Sequence, residues 1–110
     1  ISYGTYFCLQ CSGVHRSLGV HISFVRSISM DTWDAKQKKF MEMGGNAAFK
    51  RFAEEQGIDG MQIRDKYHTV AANYYREMMK AKYDGSAPPA LPAAGTGKNS
   101  TQGAPRAAKP

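Results

Sequence analysis

The stretch that decides the fold is CLQCSGVHRSLGVH, residues 8–21. It holds both cysteines of the 110-residue chain, Cys8 and Cys11, and two of its three histidines. Arg16 follows the cysteine pair closely, and Gly19 comes three residues later. Such a concentration predicts a tight cysteine turn followed by a short helix over residues 13–18, which Gly19 ends in a left-handed conformation. Ser12 is the predicted N-cap of that helix.

The residues outside this stretch predict a mainly helical domain with a few short strands. Residues 4–7 are aromatic and β-branched, and residues 21–30 alternate, which predicts two short strands. The predicted apolar face of the second strand comprises Ile22, Phe24, Arg26, Ile28 and Met30. Helical spacing predicts a helix from Trp33 to Gly44, capped by Asp31 or Thr32, a second from Asn46 to near Gly57, and one or two helices over residues 61–82. The fold class is therefore predicted as α+β, with a small treble of short strands around the cysteine knuckle.

Composition divides the chain into two parts. All five prolines lie beyond Tyr83, among Ala, Gly, Ser and Thr residues that cannot bury a core. We predict a folded domain over residues 1–83 and a disordered linker or tail over residues 84–110. The first residues, ISYGTYFC, resemble the inside of a folded unit, so we expect the chain to be a fragment.

The chain carries a formal net charge of +6, most of it in the predicted domain. A basic excess suits nucleic acid, an anionic membrane surface or an acidic protein face, and charge alone does not choose among them. No apolar run is long enough to span a bilayer, and no signal peptide is visible. The expectation is a soluble intracellular protein.

The pair Cys8 and Cys11 allows two interpretations. A CxxC turn points two thiolates at one metal ion and forms half of a tetrahedral zinc site. Alternatively, both cysteines are buried and behave as small hydrophobic residues. His15 and His21 could complete a four-ligand site only without the loop that usually separates the two ligand pairs, so we favour structural roles for both histidines.

Arg16 has an ordinary and a specific interpretation. A helical surface arginine is usually solvated. If the cysteine turn holds the short helix rigidly, however, the planar guanidinium of Arg16 can bind the phosphates of a partner. A zinc-dependent nucleic-acid-binding module is an alternative hypothesis, although the aromatic and basic residues lack an alternating pattern suited to base stacking.

The stretch CLQCSGVHRSLGVHISFVRSISMDTW, followed by Gly44-Gly45-Asn46, resembles the zinc-finger GTPase-activating domain for ADP-ribosylation-factor (Arf) GTPases. The resemblance covers about residues 3–82, and the helical end is most similar to the Golgi type of that family. In the family, two CxxC pairs bind one structural zinc ion. The resemblance implies that Cys8 and Cys11 are the second pair and that two further cysteines lie upstream of Ile1. On this interpretation the domain is N-terminally truncated and its stability is in doubt.

The resemblance also implies a function. Arg16 matches the catalytic arginine, which is supplied in trans to the GTP-bound form of an Arf-type GTPase. Residues near the GTPase are expected to be Ile28, Met30, Asp31 and Trp33. The protein would then be a GTPase activator in vesicle transport rather than an enzyme with its own substrate site. It would bind no nucleic acid, allow peripheral contact with anionic membrane, and act in the cytoplasm at Golgi or endosomal membranes. An Arf-binding scaffold without activity is a further alternative.

Overall fold

The computed structural model describes residues 1–101, and five helices account for its regular structure. They are α1 (Leu9–Ser17), α2 (Ala35–Met43), α3 (Asn46–Gln56), α4 (Ile63–Lys66) and α5 (Val70–Asp84). Helix α1 packs on α4, and α2 packs on α5. The mainly helical α+β class is confirmed. The region 61–82, predicted as one or two helices, forms two.

Helix α1 begins earlier than predicted. Its N-cap is Cys8, whose extended backbone and Sγ atom, 3.5 Å from the Cys11 nitrogen, take the capping role expected of Ser12. Ser12 lies inside the first turn, where its hydroxyl donates to the Leu9 carbonyl at 2.6 Å. The cysteine turn and the helix are therefore one continuous element.

The prediction of two short strands, at residues 4–7 and 21–30, is wrong. Across residues 1–101 the only β-type pairing is an isolated antiparallel bridge between Thr69 and Ser100. Residues 21–30 are irregular because the chain turns at both ends: the Ser23 nitrogen donates to Gly19, and the Asp31 nitrogen donates to Ser27. The predicted apolar face is also wrong, since Ser23 and Val25 are buried while Arg26, Ile28 and Met30 are exposed.

Helix α2, in contrast to α1, begins later than predicted. Its N-cap is Asp34, which forms a capping box with Gln37, rather than Asp31 or Thr32. Trp33 therefore precedes the helix, and its indole nitrogen donates to the Ser27 carbonyl at 2.9 Å. Gly44 ends α2 as predicted.

Helix α3 has the predicted extent, Asn46–Gln56, with Gly57 in the left-handed conformation at its end. Its N-cap is Gly45, so Asn46 is the first residue of the helix. The Asn46 amide is used elsewhere: it accepts from the Tyr6 nitrogen at 2.6 Å and donates to the Tyr6 carbonyl at 2.9 Å. This pair of hydrogen bonds ties the segment before α1 to the start of α3.

Two glycines let the N-terminal segment approach the α2–α3 turn. Gly4 has φ +65°, and a Cβ atom built on it would lie 2.8 Å from the Gly44 Cα atom and 2.8 Å from the Phe40 carbonyl oxygen. A Cβ atom on Gly44 would lie 2.7 Å from the Gly4 Cα atom. The Gly45 nitrogen donates to the Gly4 carbonyl at 2.7 Å. Backbone therefore packs directly on backbone at this crossing.

The core is rich in aromatic residues, and Tyr3 lies at its centre. The Tyr3 ring contacts the rings of Phe49, Tyr67 and Tyr75, with centroids 4.8–6.3 Å away. Its hydroxyl donates to the Ile22 carbonyl and accepts from Arg76 Nη1, at 2.7 and 2.8 Å. Burial raises the pKa of Tyr3 to about 12, against the opposing effect of the Arg76 charge. The other buried hydrophobic residues of this core are Phe40, Ala53, Ile58, Ala71, Ala72 and Met79.

The residues after α5 follow an irregular path. Helix α5 ends at Gly85, which is left-handed, and residues 97–101 lie beside residues 68–71. The predicted tail 84–110 extends beyond the described residues, and the division of the chain at residue 83 stays a prediction. Among residues 1–101, no helix has the length and apolar character needed to cross a membrane.

Candidate GTPase-contacting site

The orientation of α1 is fixed by His15. Its side chain is only 2% exposed and lies between the ring of Phe7, stacked at 4.0 Å, and the edge-on ring of Tyr67 at 4.7 Å. His15 Nδ1 and the Ser23 hydroxyl form a 2.8 Å hydrogen bond. Burial lowers the pKa of His15 to about 4, and nearby positive charges, including Lys66, add to this effect, so the ring is neutral near pH 7.

Arg16 is the next residue along α1, and it points away from the core. Successive helical residues are separated by about 100° around the axis, so a buried His15 places Arg16 at the solvent-facing side. Its side chain is 56% exposed, and Nη2 lies 3.8 Å from Asp31 Oδ2. The same Asp31 oxygen accepts from the Ser27 nitrogen at 2.7 Å. Asp31 is thus held by backbone and faces the guanidinium.

The predicted catalytic and partner-binding residues surround one cleft of about 430 Å³. Arg16 and Asp31 form part of its wall, as do Ile28, Met30 and Trp33. Ile28 and Met30 are 74% and 86% exposed, which leaves apolar surface beside the charged pair. The structure therefore brings together all five of these residues, although it does not test the role assigned to each.

The cleft includes residues that the sequence analysis did not assign to the site. Leu9, between the two cysteines, is 88% exposed, and Tyr6 is also exposed. Arg26, by contrast, is expected from the sequence to support this surface, and it lies on the cleft wall with its guanidinium carbon 4.9 Å from the centroid of the Phe24 ring. The sequence signal that could have indicated Leu9 was its apolar side chain inside the CxxC turn, between two polar-facing ligand candidates.

The cysteines lie at the start of α1, away from the buried core. Cys8 is exposed and Cys11 half-buried, and neither is in a disulfide. The Cys11 backbone N–H lowers the pKa of the Cys8 thiol, whereas the hydrogen bond with Cys8 raises the pKa of the Cys11 thiol. The interpretation of the pair as buried hydrophobic residues is therefore wrong.

The donor set fits half of a zinc site. Two neighbouring, accessible thiols are ligands that zinc prefers, and a backbone N–H directed at a sulfur atom helps to orient it. Within residues 1–101 no group of three or more His, Cys, Asp or Glu side chains is placed to hold a metal. His15 is excluded as a ligand here because its Nδ1 atom is engaged by Ser23 and its ring is enclosed by aromatic residues.

The sequence and fold were compared with known proteins. Residues 1–87 match the model of the family described as "Putative GTPase activating protein for Arf". ADP-ribosylation factor GTPase-activating protein 3 of Bos taurus is 46% identical over 82 residues, which are 74% of this chain and 16% of that protein. ADP-ribosylation factor GTPase-activating protein GCS1 of Saccharomyces cerevisiae is 41% identical over 78 residues, 70% of this chain and 22% of that protein. The chain thus spans about a sixth to a fifth of the length of these relatives.

A solved structure gives the same result for the fold. The chain superposes with a TM-score of 0.67 and 28% identity on a Cryptosporidium parvum protein described as "putative GTPase activating protein for ADP ribosylation factor". The match covers 74% of this chain and 67% of that one. Together with the family match over most of its length, this likeness shows that the chain belongs to the family of Arf GTPase-activating proteins.

Proposed function

We propose that this chain activates GTP hydrolysis on an Arf-type GTPase by inserting Arg16 into the nucleotide site of that partner. The observation that carries the proposal is the exposed guanidinium of Arg16, mounted beside the enclosed His15 and facing a cleft with apolar walls. Family membership supports the same function. We assign the chain to the Golgi type of the family, because the helical end resembles that type.

The chemistry follows from the arginine side chain. Charge spreads over the γ-phosphoryl oxygens during transfer, and a guanidinium can donate two parallel hydrogen bonds to those oxygens. In the free protein the Arg16 charge lies near Asp31, at 3.8 Å, so the side chain is oriented without being buried. Binding of the partner would exchange this loose, solvent-exposed ion pair for phosphate contacts. The partner supplies the GTP, Mg²⁺ and attacking water.

The apolar walls of the cleft suit a protein partner. Leu9, Ile28 and Met30 expose large side chains next to Arg16, and Trp33 is held by its bond to Ser27. Exposed apolar clusters with a polar rim are typical of protein-binding surfaces. We propose that these residues dock on the GTP-bound form of the GTPase and thereby position Arg16.

The activity is tested by single-turnover hydrolysis of GTP preloaded on an Arf-type GTPase bound to anionic liposomes. The chain is measured alongside a version that is extended at its N-terminus by the family segment that carries the first of the two cysteine pairs. Acceleration by the extended version supports the proposal. Binding to the GTPase without acceleration would support a scaffold instead. Binding to DNA or RNA that weakens steeply with salt would support the nucleic-acid alternative.

We also propose that Cys8 and Cys11 supply two of the four ligands of one structural zinc ion. The remaining ligands would come from a segment outside this chain, since the described residues offer no further group. When bound, the ion would supply rigidity to the turn that precedes α1. The thiols of Cys8 and Cys11 would hold it: Cys8 is the N-cap of α1, and Cys11 is the third residue of that helix, five residues before Arg16.

Cobalt substitution tests this assignment. Thiolate ligands give Co²⁺ charge-transfer absorption whose intensity rises with the number of thiolates. We expect Cys8→Ser and Cys11→Ser each to weaken this absorption in the extended protein, because each change removes one ligand. Ser12→Ala, a change of a neighbouring side chain that only bonds to Leu9, is the matched control. An unaltered cobalt spectrum in Cys8→Ser would contradict the assignment.

The site of action is proposed as the cytoplasmic face of Golgi or endosomal membranes. Arf-type partners and the net charge of +6, which favours contact with anionic lipid, support this placement.

A further inference from the structure

The segment after α5 returns to the start of that helix. The Asn99 carbonyl accepts from the Val70 nitrogen at 2.7 Å, and the Gly97 carbonyl accepts from the Ala71 nitrogen at 2.8 Å. The Thr101 nitrogen and hydroxyl both donate to the His68 carbonyl, at 2.6 and 2.9 Å. Residues 97–101 therefore pair with residues 68–71 through backbone atoms, around the antiparallel bridge between positions 69 and 100.

These bonds satisfy the groups that a helix cannot satisfy itself. The first N–H groups of any α-helix lack a carbonyl partner within the helix. In α5 the Thr69 hydroxyl oxygen accepts from the Ala72 nitrogen at 3.1 Å, which leaves the amides of Val70 and Ala71. Both of those amides donate to the returning segment. The segment thus completes the N-terminal turn of α5.

Gly97 packs closely against the end of α3. It is buried, and a Cβ atom on it would collide with Oε1 of Gln56 and lie 3.1 Å from the Gln56 Cβ atom. Gln56 is the last residue of α3. The segment therefore bridges the end of α3 and the start of α5, and it lies beyond residues 1–87, to which the family match is confined.

We propose that residues 97–101 are an intrachain strap that controls the local stability of the first turn of α5. The adjoining residue Tyr67 packs edge-on against His15, the residue that orients α1. Withdrawal of the strap by a partner or a modification would expose the amides of Val70 and Ala71 and loosen this corner. The proposal does not depend on the GTPase-activating function.

Residue-resolved amide hydrogen exchange tests the strap. The full chain is compared with one that ends at Ser86. We expect exchange at Val70 and Ala71 to accelerate by about tenfold or more in the shortened chain, because both amides lose their acceptors. Amides in the middle of α5, such as Met79, are the internal reference and should keep their rates.

A substitution in the full chain gives the same readout without truncation, should the shortened chain fail to fold. Gly97→Val should accelerate exchange at Val70 and Ala71, since its branched side chain must displace that of Gln56, whose Cβ atom would lie 3.1 Å from the added Cβ atom. Gly60→Val is the matched control, because a Cβ atom on Gly60 has no neighbour within 4 Å. Unchanged protection at Val70 and Ala71, or an equal acceleration throughout α5, would overturn the proposal.

Discussion

Replacing Arg16 by lysine or alanine is expected to abolish stimulated GTP hydrolysis while leaving the domain folded. An arginine supplied to a GTPase contributes about 10³–10⁵-fold in rate in other systems, so the loss in single-turnover rate should approach that range. Lysine keeps the charge but cannot form the forked contact, and we expect it to restore little activity. The side chain of Arg16 is exposed and its ion pair with Asp31 is solvent-screened, so the free energy of unfolding should change by less than about 1 kcal/mol.

Two controls separate catalysis from docking. Arg51→Lys changes an exposed arginine on α3 that does not line the cleft, and it should leave the rate unchanged. Met30→Ala removes apolar surface from the cleft, so it should weaken binding to the GTPase more than it slows hydrolysis at saturation. Full activity in Arg16→Ala would exclude the proposed mechanism, whatever the binding strength.

Substitution of either glycine at the backbone crossing is expected to destabilise the domain. Gly44→Ala puts a Cβ atom 2.7 Å from the Gly4 Cα atom, a backbone neighbour that cannot rotate away. Overpacking of this kind costs about 2–3 kcal/mol of unfolding free energy. Gly4→Ala should cost about 1–2 kcal/mol more, because Gly4 also has a positive φ that L-residues rarely adopt. Urea unfolding followed by circular dichroism measures both.

Gly13→Ala provides the matched control for these losses. Gly13 lies inside α1, a Cβ atom there meets nothing within 4 Å, and its φ is not positive. The substitution should raise the free energy of unfolding by about 0.5–1 kcal/mol, as alanine does in a helix interior. If Gly44→Ala were as well tolerated as Gly13→Ala, this result would contradict the close backbone approach between Gly4 and Gly44.

The helix boundaries that were predictable from sequence are those set by local residues. Helix α3 runs from Asn46 to a left-handed Gly57, as its flanking glycines indicate. The start of α2 was misplaced because several residues before it can cap a helix, and the capping box with Gln37 selects Asp34. The start of α1 was misplaced because Cys8 caps it through sulfur, a role outside the usual set of capping side chains.

Residues 21–30 could not be predicted because their environment comes from distant parts of the chain. The Ile22 carbonyl accepts from the Tyr3 hydroxyl, and the Phe24 nitrogen donates to the Ser2 hydroxyl oxygen, 22 residues away. Ile28 is exposed in spite of its apolar side chain. An alternating pattern records only side-chain types, so it predicted a strand where tertiary contacts impose turns. The candidate site has the same origin: spacing alone does not bring Arg16 to Asp31, and the residues around the cleft were assigned from a family resemblance.

The position of Tyr3 has a consequence for the order of events during synthesis. Its hydroxyl accepts from Arg76, 73 residues later, and its ring needs Phe49, Tyr67 and Tyr75 around it. Because Tyr75 and Arg76 are synthesised long after Tyr3, a nascent chain cannot bury the Tyr3 side chain until α5 has left the ribosome. At about 5–20 residues per second, several seconds pass in which this aromatic core is open to chaperones.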